Sequence, residues 1–325
     1  MIPTTSNVIE THGLSKSFGP VQALRGVDLR VPRHSIFGFL GPNGAGKTTL
    51  MKLLLGLARP TAGSATIFGH DIVRDSVAIR ERIGYLPQQP RFVEHMTARE
   101  NLRLAARFFF SGPAPAVEDR CAEMLALVGL EDKADRPIKG FSGGEKQRLG
   151  IALAQVNYPD LLILDEPAAA LDPLGRQAVL EIMTRLRQHT TIFYSTHILD
   201  DVQRVSDTVA ILNHGQMVAS GPIEQLRGGQ DGVVYTVTVK GAADGLGERL
   251  AVLPWVTQAT PAPTFVPRNG ATAWHVAVND AAAAEAALLR HVLKDPDTTV
   301  IEFSRKRYEL EEVFVDLIKG DDHGR

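Results

Sequence analysis

Two segments of the chain carry residue types that handle phosphate and metal. The first is Gly41-Pro42-Asn43-Gly44-Ala45-Gly46-Lys47-Thr48, which fits the spacing G-x-x-x-x-G-K-[ST]. Glycines let backbone N–H groups converge on phosphate oxygens, and a helix starting near Gly46 adds its positive end. Lys47 is then expected to reach the β- and γ-phosphates of a nucleotide, and Thr48 to offer its hydroxyl to Mg²⁺. The second segment is Asp165-Glu166, two carboxylates that end the apolar run Leu161-Leu162-Ile163-Leu164. Asp165 is expected to hold Mg²⁺, directly or through water, and Glu166 to orient and deprotonate an attacking water. Taken alone, each has a plainer reading: a glycine-rich turn with a chance lysine, and a solvated strand end with two acids.

The elements around them favour the chemical readings. Ser35-Ile36-Phe37-Gly38-Phe39-Leu40 is nearly all apolar and runs straight into the glycines, as a strand covered on both faces does. An apolar helix is expected over residues 50–57. Val27-Asp28-Leu29-Arg30-Val31 alternates, as a half-exposed strand should. Short apolar runs recur at 83–86, 161–164, 191–194 and 209–212, with helical stretches between them. One such helix is expected over 99–110, where Leu102, Ala105, Ala106 and Phe109 share a face. Strands alternating with helices imply an α/β fold with a mostly parallel sheet. Such a sheet binds ligands at the carboxyl ends of its strands, where Asp165 and Glu166 fall.

A third segment is Phe141-Ser142-Gly143-Gly144-Glu145-Lys146-Gln147-Arg148. Ser142 followed three residues on by Glu145 is a capping box for a helix start. The same letters make a second anion site, with a hydroxyl, two glycine N–H groups and the positive end of a helix. The segment resembles the LSGGQ signature of ABC-type ATPases, and about residues 8–225 are similar to the ATP-binding subunit of an ABC-type transporter. The resemblance implies a phosphate-loop NTPase of ABC type: a mostly parallel sheet, an antiparallel β subdomain and a helical signature subdomain. It implies ATP and Mg²⁺ as cofactors, with residues 41–48 and Thr49 at the nucleotide. Two chains would sandwich two ATP molecules, with Ser142, Gly143, Gly144 and Glu145 serving the nucleotide held by the partner. Phe18, in Lys16-Ser17-Phe18-Gly19, matches the aromatic that stacks on adenine. Gln88, after Gly84-Tyr85-Leu86-Pro87, matches the glutamine that reaches Mg²⁺ and senses the membrane partner. Asp172, in Ala170-Leu171-Asp172, matches the segment linking the two sites, and His197 the histidine that contacts the γ-phosphate. Catalysis would then rest on Glu166, His197, Gln88 and Lys47, and Mg²⁺ on Thr48, Gln88 and Asp165. The chain departs from the pattern at Phe141, in place of Leu, and at Glu145, in place of Gln. Ala169 stands where Ser, Asn or Thr is usual, which would weaken hydrogen bonding between sites.

A boundary is expected near residue 230, in Arg227-Gly228-Gly229-Gln230-Asp231-Gly232. It divides an ATPase domain, 1–230, from a small α+β accessory domain, 231–325. In the latter, strands are expected at 233–239, 256–260, 272–278 and 299–303, and helices at 245–253, 281–293 and 310–318. Strand, helix, strand, strand, helix, strand is the ferredoxin-like order. The ending Tyr308-Glu309-Leu310-Glu311-Glu312-Val313-Phe314 resembles that of exporter-type subunits, and Val313, Phe314 and Leu317 also suit a packed amphipathic helix.

Across its 325 residues the formal net charge is -2, so no global basic field argues for a nucleic-acid partner. The single cysteine, Cys121, excludes an intramolecular disulfide and fits a reducing cytosol. No signal peptide is visible at the N-terminus, and no apolar segment approaches the ~20 residues that span a bilayer. The expected partners are a second nucleotide-binding subunit, identical or different, and a separate integral membrane permease. The expected place is cytoplasmic, on the inner face of the membrane. Phe92, Phe108, Phe109 and Phe110 follow Gln88. Three consecutive phenylalanines cannot share one helix face, so they suggest either a dock for a partner's helix or packing between helices. Two other readings stay open: an importer ATPase with a regulatory tail, and a soluble ABC ATPase acting on DNA or ribosomes. One phosphate loop and one cysteine count against the latter.

Overall fold

Apolar runs long enough for one strand, each followed by a polar turn, pair in parallel when helices cover both sheet faces, and the centre of this protein is built that way. The structure is a computed structural model that describes residues 7–227, 233–241, 245–262, 271–295 and 297–306. The chain divides into two compact units, residues 1–223 and 224–325. The first runs β1 (Asn7–Phe18), β2 (Val21–Pro32), β3 (Ile36–Leu40), α1 (Lys47–Leu54), β4 (Ala62–Ile67), β5 (His70–Asp71), α2 (Ser76–Glu81) and β6 (Ile83–Leu86). It continues α3 (Ala98–Ala106), α4 (Ala114–Leu127), α5 (Gly143–Gln155), β7 (Leu161–Asp165), α6 (Pro173–Leu186), β8 (Thr191–Thr196), α7 (Leu199–Val205), β9 (Thr208–Asn213) and β10 (Gln216–Pro222).

Six strands form the central sheet in the order β10-β9-β3-β8-β7-β6. All neighbours are parallel except the β9–β10 pair. A second sheet, β2-β1-β4-β5, is antiparallel throughout. The two sheets share one core: Phe37, Phe39 and Phe193 meet Leu14, Leu29 and Ile67, with Leu50, Leu53 and Leu54 of α1. The phenylalanine rings lie tilted at 5.5 and 5.8 Å between centroids. Each side chain fully buried in this way contributes about 1.5–3 kcal/mol. Helices α3, α4 and α5 pack together as a helical layer, and Arg103 of α3 forks onto Glu118 of α4.

Two helices differ from their sequence expectation. α1 spans 47–54 rather than 50–57, because Gly46 at φ 110° provides the left-handed turn into it, leaving Leu57 exposed. A Cβ at Gly46 would also lie 2.5 Å from the Ala23 carbonyl oxygen. α3 ends at Ala106, not at 110. Phe108 and Phe109 donate only three residues back, to Ala105 and Ala106 at 3.1 and 3.0 Å, and Pro113 then opens α4. Phe109, expected on the buried face, is 48% exposed and Phe108 is 80% exposed. Phe110 instead meets Tyr158 edge-on at 6.4 Å.

After α8 (Ile223–Arg227), the second unit runs β11 (Val233–Lys240), α9 (Leu246–Ala251), β12 (Val256–Pro261), β13 (Ala271–Val278), α10 (Ala281–Val292) and β14 (Thr299–Lys306). Its antiparallel sheet has the order β12-β13-β11-β14, the split βαβ arrangement of a ferredoxin-like fold. Alternate residues Tyr235, Val237 and Val239 of β11 pack with Leu246, Leu250, Leu288 and Val292 of the two helices. The expected helix at 310–318 and the glycines at 228–232 lie outside the described residues.

α5 approaches the sheet at its β6 edge. A Cβ on Gly84 would sit 1.9 Å from the Ala154 carbonyl oxygen, so backbone meets backbone there. Gly84→Ala should therefore destabilise the chain by about 1–3 kcal/mol, the usual range for overpacking. A Cβ on Gly112 meets nothing within 4 Å, so Gly112→Ala is the control. Thermal melts showing equal midpoints for the two variants would refute this close packing.

Candidate functional site

Three adjacent parallel strands, β3, β8 and β7, end at the same edge. Their register places Leu40 beside Thr196 and Asp165 beside Ser195. Glycine-rich residues 41–46 leave β3 there and lead into α1. The loop is pinned at both ends: Gly41 N–H donates to the Thr196 carbonyl at 3.2 Å, and Gly215 N–H donates to the Ala45 carbonyl at 2.9 Å. Pro42, Asn43 and Gly44 lie toward solvent, while Ala45 is buried. Thr48 and Thr49 are half-buried in the first turn of α1, and no side chain caps that helix.

Lys47 folds over the loop, its side chain only 5% exposed. Nζ donates to the Gly41 carbonyl at 2.6 Å and the Pro42 carbonyl at 3.1 Å. It also lies 3.2 Å from Oε1 of Glu166, which is 7% exposed. The other Glu166 oxygen, Oε2, is 3.0 Å from His197 Nδ1. Glu166 takes φ 50°, a conformation that costs a non-glycine residue about 1–3 kcal/mol unless its surroundings fix it. Its N–H donates to Ser195 Oγ at 2.9 Å, and Ser195 in turn donates to Asp165 Oδ1 at 2.6 Å. Thr48 Oγ1 donates to Asp165 Oδ2 at 2.9 Å. One polar network thus joins the loop lysine and threonine to both strand-end carboxylates and to His197. Nearby, burial and then the negative charge of Asp165 push the Tyr85 phenol up, so it stays protonated.

The other predicted residues lie outside this network. Gln88 is exposed on the loop after β6, whose Leu86 pairs with Leu164 of β7. Phe18, exposed at the end of β1, has Lys16 Nζ 4.9 Å from its ring centroid. Asp172 caps α6 by accepting from Gly175 N–H at 2.8 Å. Ser142 caps α5: its Oγ accepts from Glu145 N–H at 3.2 Å, and Glu145 Oε2 accepts from Ser142 N–H at 2.7 Å. Gly143 and Gly144 start that helix. Among the described residues, no hydrogen bond or ion pair joins 142–145 to 41–48.

Sequence reasoning passed over Ser195, whose hydroxyl is tied to both carboxylate residues. The signal was present, since a serine is the last residue but one of the buried strand β8, but only the strand register shows what it touches. It also missed Arg176, which ion-pairs with buried Asp201 and with Asp200 and so ties α6 to α7.

The residues fit a Mg²⁺-nucleotide. Cis ligands of an octahedral Mg²⁺ with bonds of about 2.0–2.1 Å lie about 2.9 Å apart, and Thr48 Oγ1 and Asp165 Oδ2 are 2.9 Å apart. Among the described residues no group of three or more His, Cys, Asp or Glu could hold a metal by itself. That suits an ion bound by few protein ligands and completed by phosphate oxygens and water.

A family model described as ABC transporter matches residues 24–169. YxlF of Bacillus subtilis, an ABC transporter ATP-binding protein, is 36% identical over 312 residues, covering 96% of this chain and 99% of its own. The Nod factor export ATP-binding protein I of Ralstonia nicotianae is 35% identical over 220 residues, 67% of this chain and 68% of its own. A solved ATP-binding cassette, dimeric and in a post-hydrolysis state with ADP and Pi, matches with a TM-score of 0.61 at 25% identity. It covers 66% of this chain and 98% of the solved one.

Ser195 generates a stability prediction. Ser195→Ala removes the acceptor of the buried Glu166 N–H and the donor to Asp165. An unsatisfied buried donor costs about 1–3 kcal/mol, and urea denaturation should show a loss of that size. A midpoint unchanged from the parent would show that the hydroxyl holds neither residue in place.

Proposed function

The chain belongs to the ATP-binding proteins of ABC transporters, and on that premise we propose that it hydrolyses ATP with Mg²⁺ to drive export through a separate membrane-spanning subunit. The observation that carries this reading is the network at the sheet edge, where Lys47, Glu166, His197, Asp165 and Thr48 converge. Phosphates seated on 41–48 would draw the Lys47 ammonium away from Glu166. Thr48 and Asp165 would hold Mg²⁺, with Gln88 joining them from its loop, and the ion would offset the charge on the β- and γ-phosphates. Glu166 then takes a proton from water as the water oxygen bonds to the γ-phosphorus and the ADP oxygen leaves. His197 steadies that carboxylate, and the Ser195 bond to the Glu166 N–H fixes its backbone. Phe18 would stack on adenine.

The separation of residues 142–145 from the phosphate loop supports a site completed in trans. In it Ser142, Gly143 and Gly144 would meet the γ-phosphate on a second nucleotide-binding subunit, identical or related, with Asp172 between the two sites. The dimeric solved relative favours the same arrangement. Export is favoured by the relative that names it and by the ending at 308–314. The ferredoxin-like unit holds no candidate nucleotide residue and is assigned a regulatory or dimer-stabilising part. No helix among the described residues is long and apolar enough to cross a membrane, and the proposed place is the cytoplasmic face, on a permease. A groove of about 500 Å³ supplies the dock for it. Arg91, Phe92, Val93, Leu104, Phe108 and Phe109 are among its lining residues, next to the loop of Gln88. Its exposed aromatic rim suits a partner's amphipathic helix.

Two variants test the chemistry by differing in kind. Glu166→Gln should keep ATP binding and lose about 10²–10⁴-fold in turnover. Lys47→Ala should weaken ATP binding as well as hydrolysis. Turnover of Glu166→Gln within about threefold of the parent would sink the general-base role, and unchanged ATP affinity in Lys47→Ala would sink that of the lysine. For the dock, cysteines placed at Phe92 and Phe108 in a Cys121→Ser chain should crosslink to the membrane subunit. No crosslink from any position between 88 and 110 would exclude this face.

A further inference from the structure

Glu145 puts a carboxylate into the segment proposed to receive a phosphate. An acid in the first turn suits the helix dipole, but an anionic ligand arriving at the same turn meets a like charge. The structure supplies the compensation. Lys133 Nζ lies 2.6 Å from Glu145 Oε1, with side-chain exposures of 33% and 13% for lysine and glutamate. Lys133 ends a short 3-10 turn, Glu131–Lys133, held between buried Leu130 and Ala134. Its N–H donates to the Leu130 carbonyl at 3.1 Å. The ammonium is therefore placed by packing from outside the helix it serves.

Two nearby cations on α5 have other partners. Lys146 pairs with Glu94 at 3.6 Å, and Arg148 donates to the Val128 and Gly129 carbonyls at 2.6 and 3.0 Å. Lys133, and then the Ser142 N–H, hold the Glu145 carboxyl below the usual carboxylate range, so Glu145 is charged at neutral pH. Its second oxygen fixes Ser142 through the backbone N–H. Ser142 Oγ accepts from Glu145 N–H, which leaves its own proton free to donate. A Cβ built on Gly143 or Gly144 meets nothing within 4 Å, so the space before this turn is open.

We propose that Lys133 is a positioning residue for the nucleotide bound in trans: it cancels the charge of Glu145, so that residues 142–144 can receive a γ-phosphate without repulsion. The inference rests on the trans-site reading given above and adds to it a residue outside the signature-like segment. Glu145 keeps its role as cap, and Lys133 makes that cap compatible with an anion. A packing role alone would make the loss at Lys133 independent of the charge at 145.

The test is steady-state ATP hydrolysis by the purified full chain, with thermal melts of every variant. Lys133→Met should lower kcat/KM for ATP about tenfold, the size of one like-charge contact in a partly screened site. The deficit should shrink as salt rises from about 0.05 to about 0.5 M, because screening weakens exposed repulsion. In a Glu145→Gln background the same substitution should change kcat/KM by less than about twofold, because the charge it balances is gone. Lys133→Gln carries the same expectations and replaces the methionine variant if that chain does not fold. A Lys133 variant within about twofold of the parent, or an equal loss in both backgrounds, overturns the proposal. The underlying reading has its own arm. A Ser142→Arg chain should be inactive and should regain activity when mixed with a Lys47→Ala chain. Normal hydrolysis by Ser142→Arg alone overturns the trans site, and Lys133's role with it. Complementation without any effect at Lys133 overturns Lys133's role alone.

Discussion

A carboxylate withdrawn from water needs a cation or donors on each oxygen, and the site is arranged around that need at Glu166. Lys47 meets one oxygen and His197 the other. Glu166 and His197 directly follow β7 and β8, and Lys47 opens α1 after the loop that leaves β3, so the contacts exist only if β3, β8 and β7 lie side by side in a fixed parallel register. That register needs a sheet covered on both faces, which the apolar runs of all three strands supply. Removing one partner from such a pair costs more than the pair itself contributes. The arrangement therefore makes loop, sheet and His197 depend on one another.

The same dependence extends beyond the sheet edge. Glu166 and His197 are each followed by a helix, α6 and α7, and Arg176–Asp201 joins the two. Burial raises the Asp201 carboxyl and the Arg176 guanidinium acts against that rise, so the arginine is what keeps a buried acid tolerable there. Asp172 caps the helix that carries Arg176. The segment assigned to contact between sites is thus tied mechanically to the segment that carries His197.

The sequence disclosed most where the chemistry is local. Residues 41–48 and 165–166 are contiguous, and their apolar strands announce the edge at which they end. The α/β class and the ferredoxin-like order of the tail followed from periodicity. What stayed illegible depends on tertiary placement. Two-residue β5 and the bulged pairing of β1 leave no period to read. The end of α3 was misplaced because Phe108, Phe109 and Phe110 are apolar letters that the chain turns outward or onto Tyr158. Ser195 and Lys133 are ordinary residues until the fold sets them against Asp165 and Glu145. Residues 142–145 carried two readings in the sequence, helix cap and anion site. The structure contains the cap, and the anion site is the part left to the contact between two chains proposed above.

The two readings of that segment are compatible, as a comparison of two helix starts makes plain. The first turn of any helix leaves N–H groups without partners inside the helix. At α1 no side chain caps them; glycines surround the turn, and the whole set is available to a phosphate chain. At α5 Ser142 takes the N–H of Glu145 alone, and those of Gly143 and Gly144 remain. A fully open helix end suits the site that binds the nucleotide in the first place. A half-capped end suits the proposed trans surface, which would have to keep its shape until a nucleotide arrives on another subunit, because the capping box orders Ser142 before any phosphate is present. The cost of that order is the negative charge of Glu145, and Lys133 is where the fold offsets it.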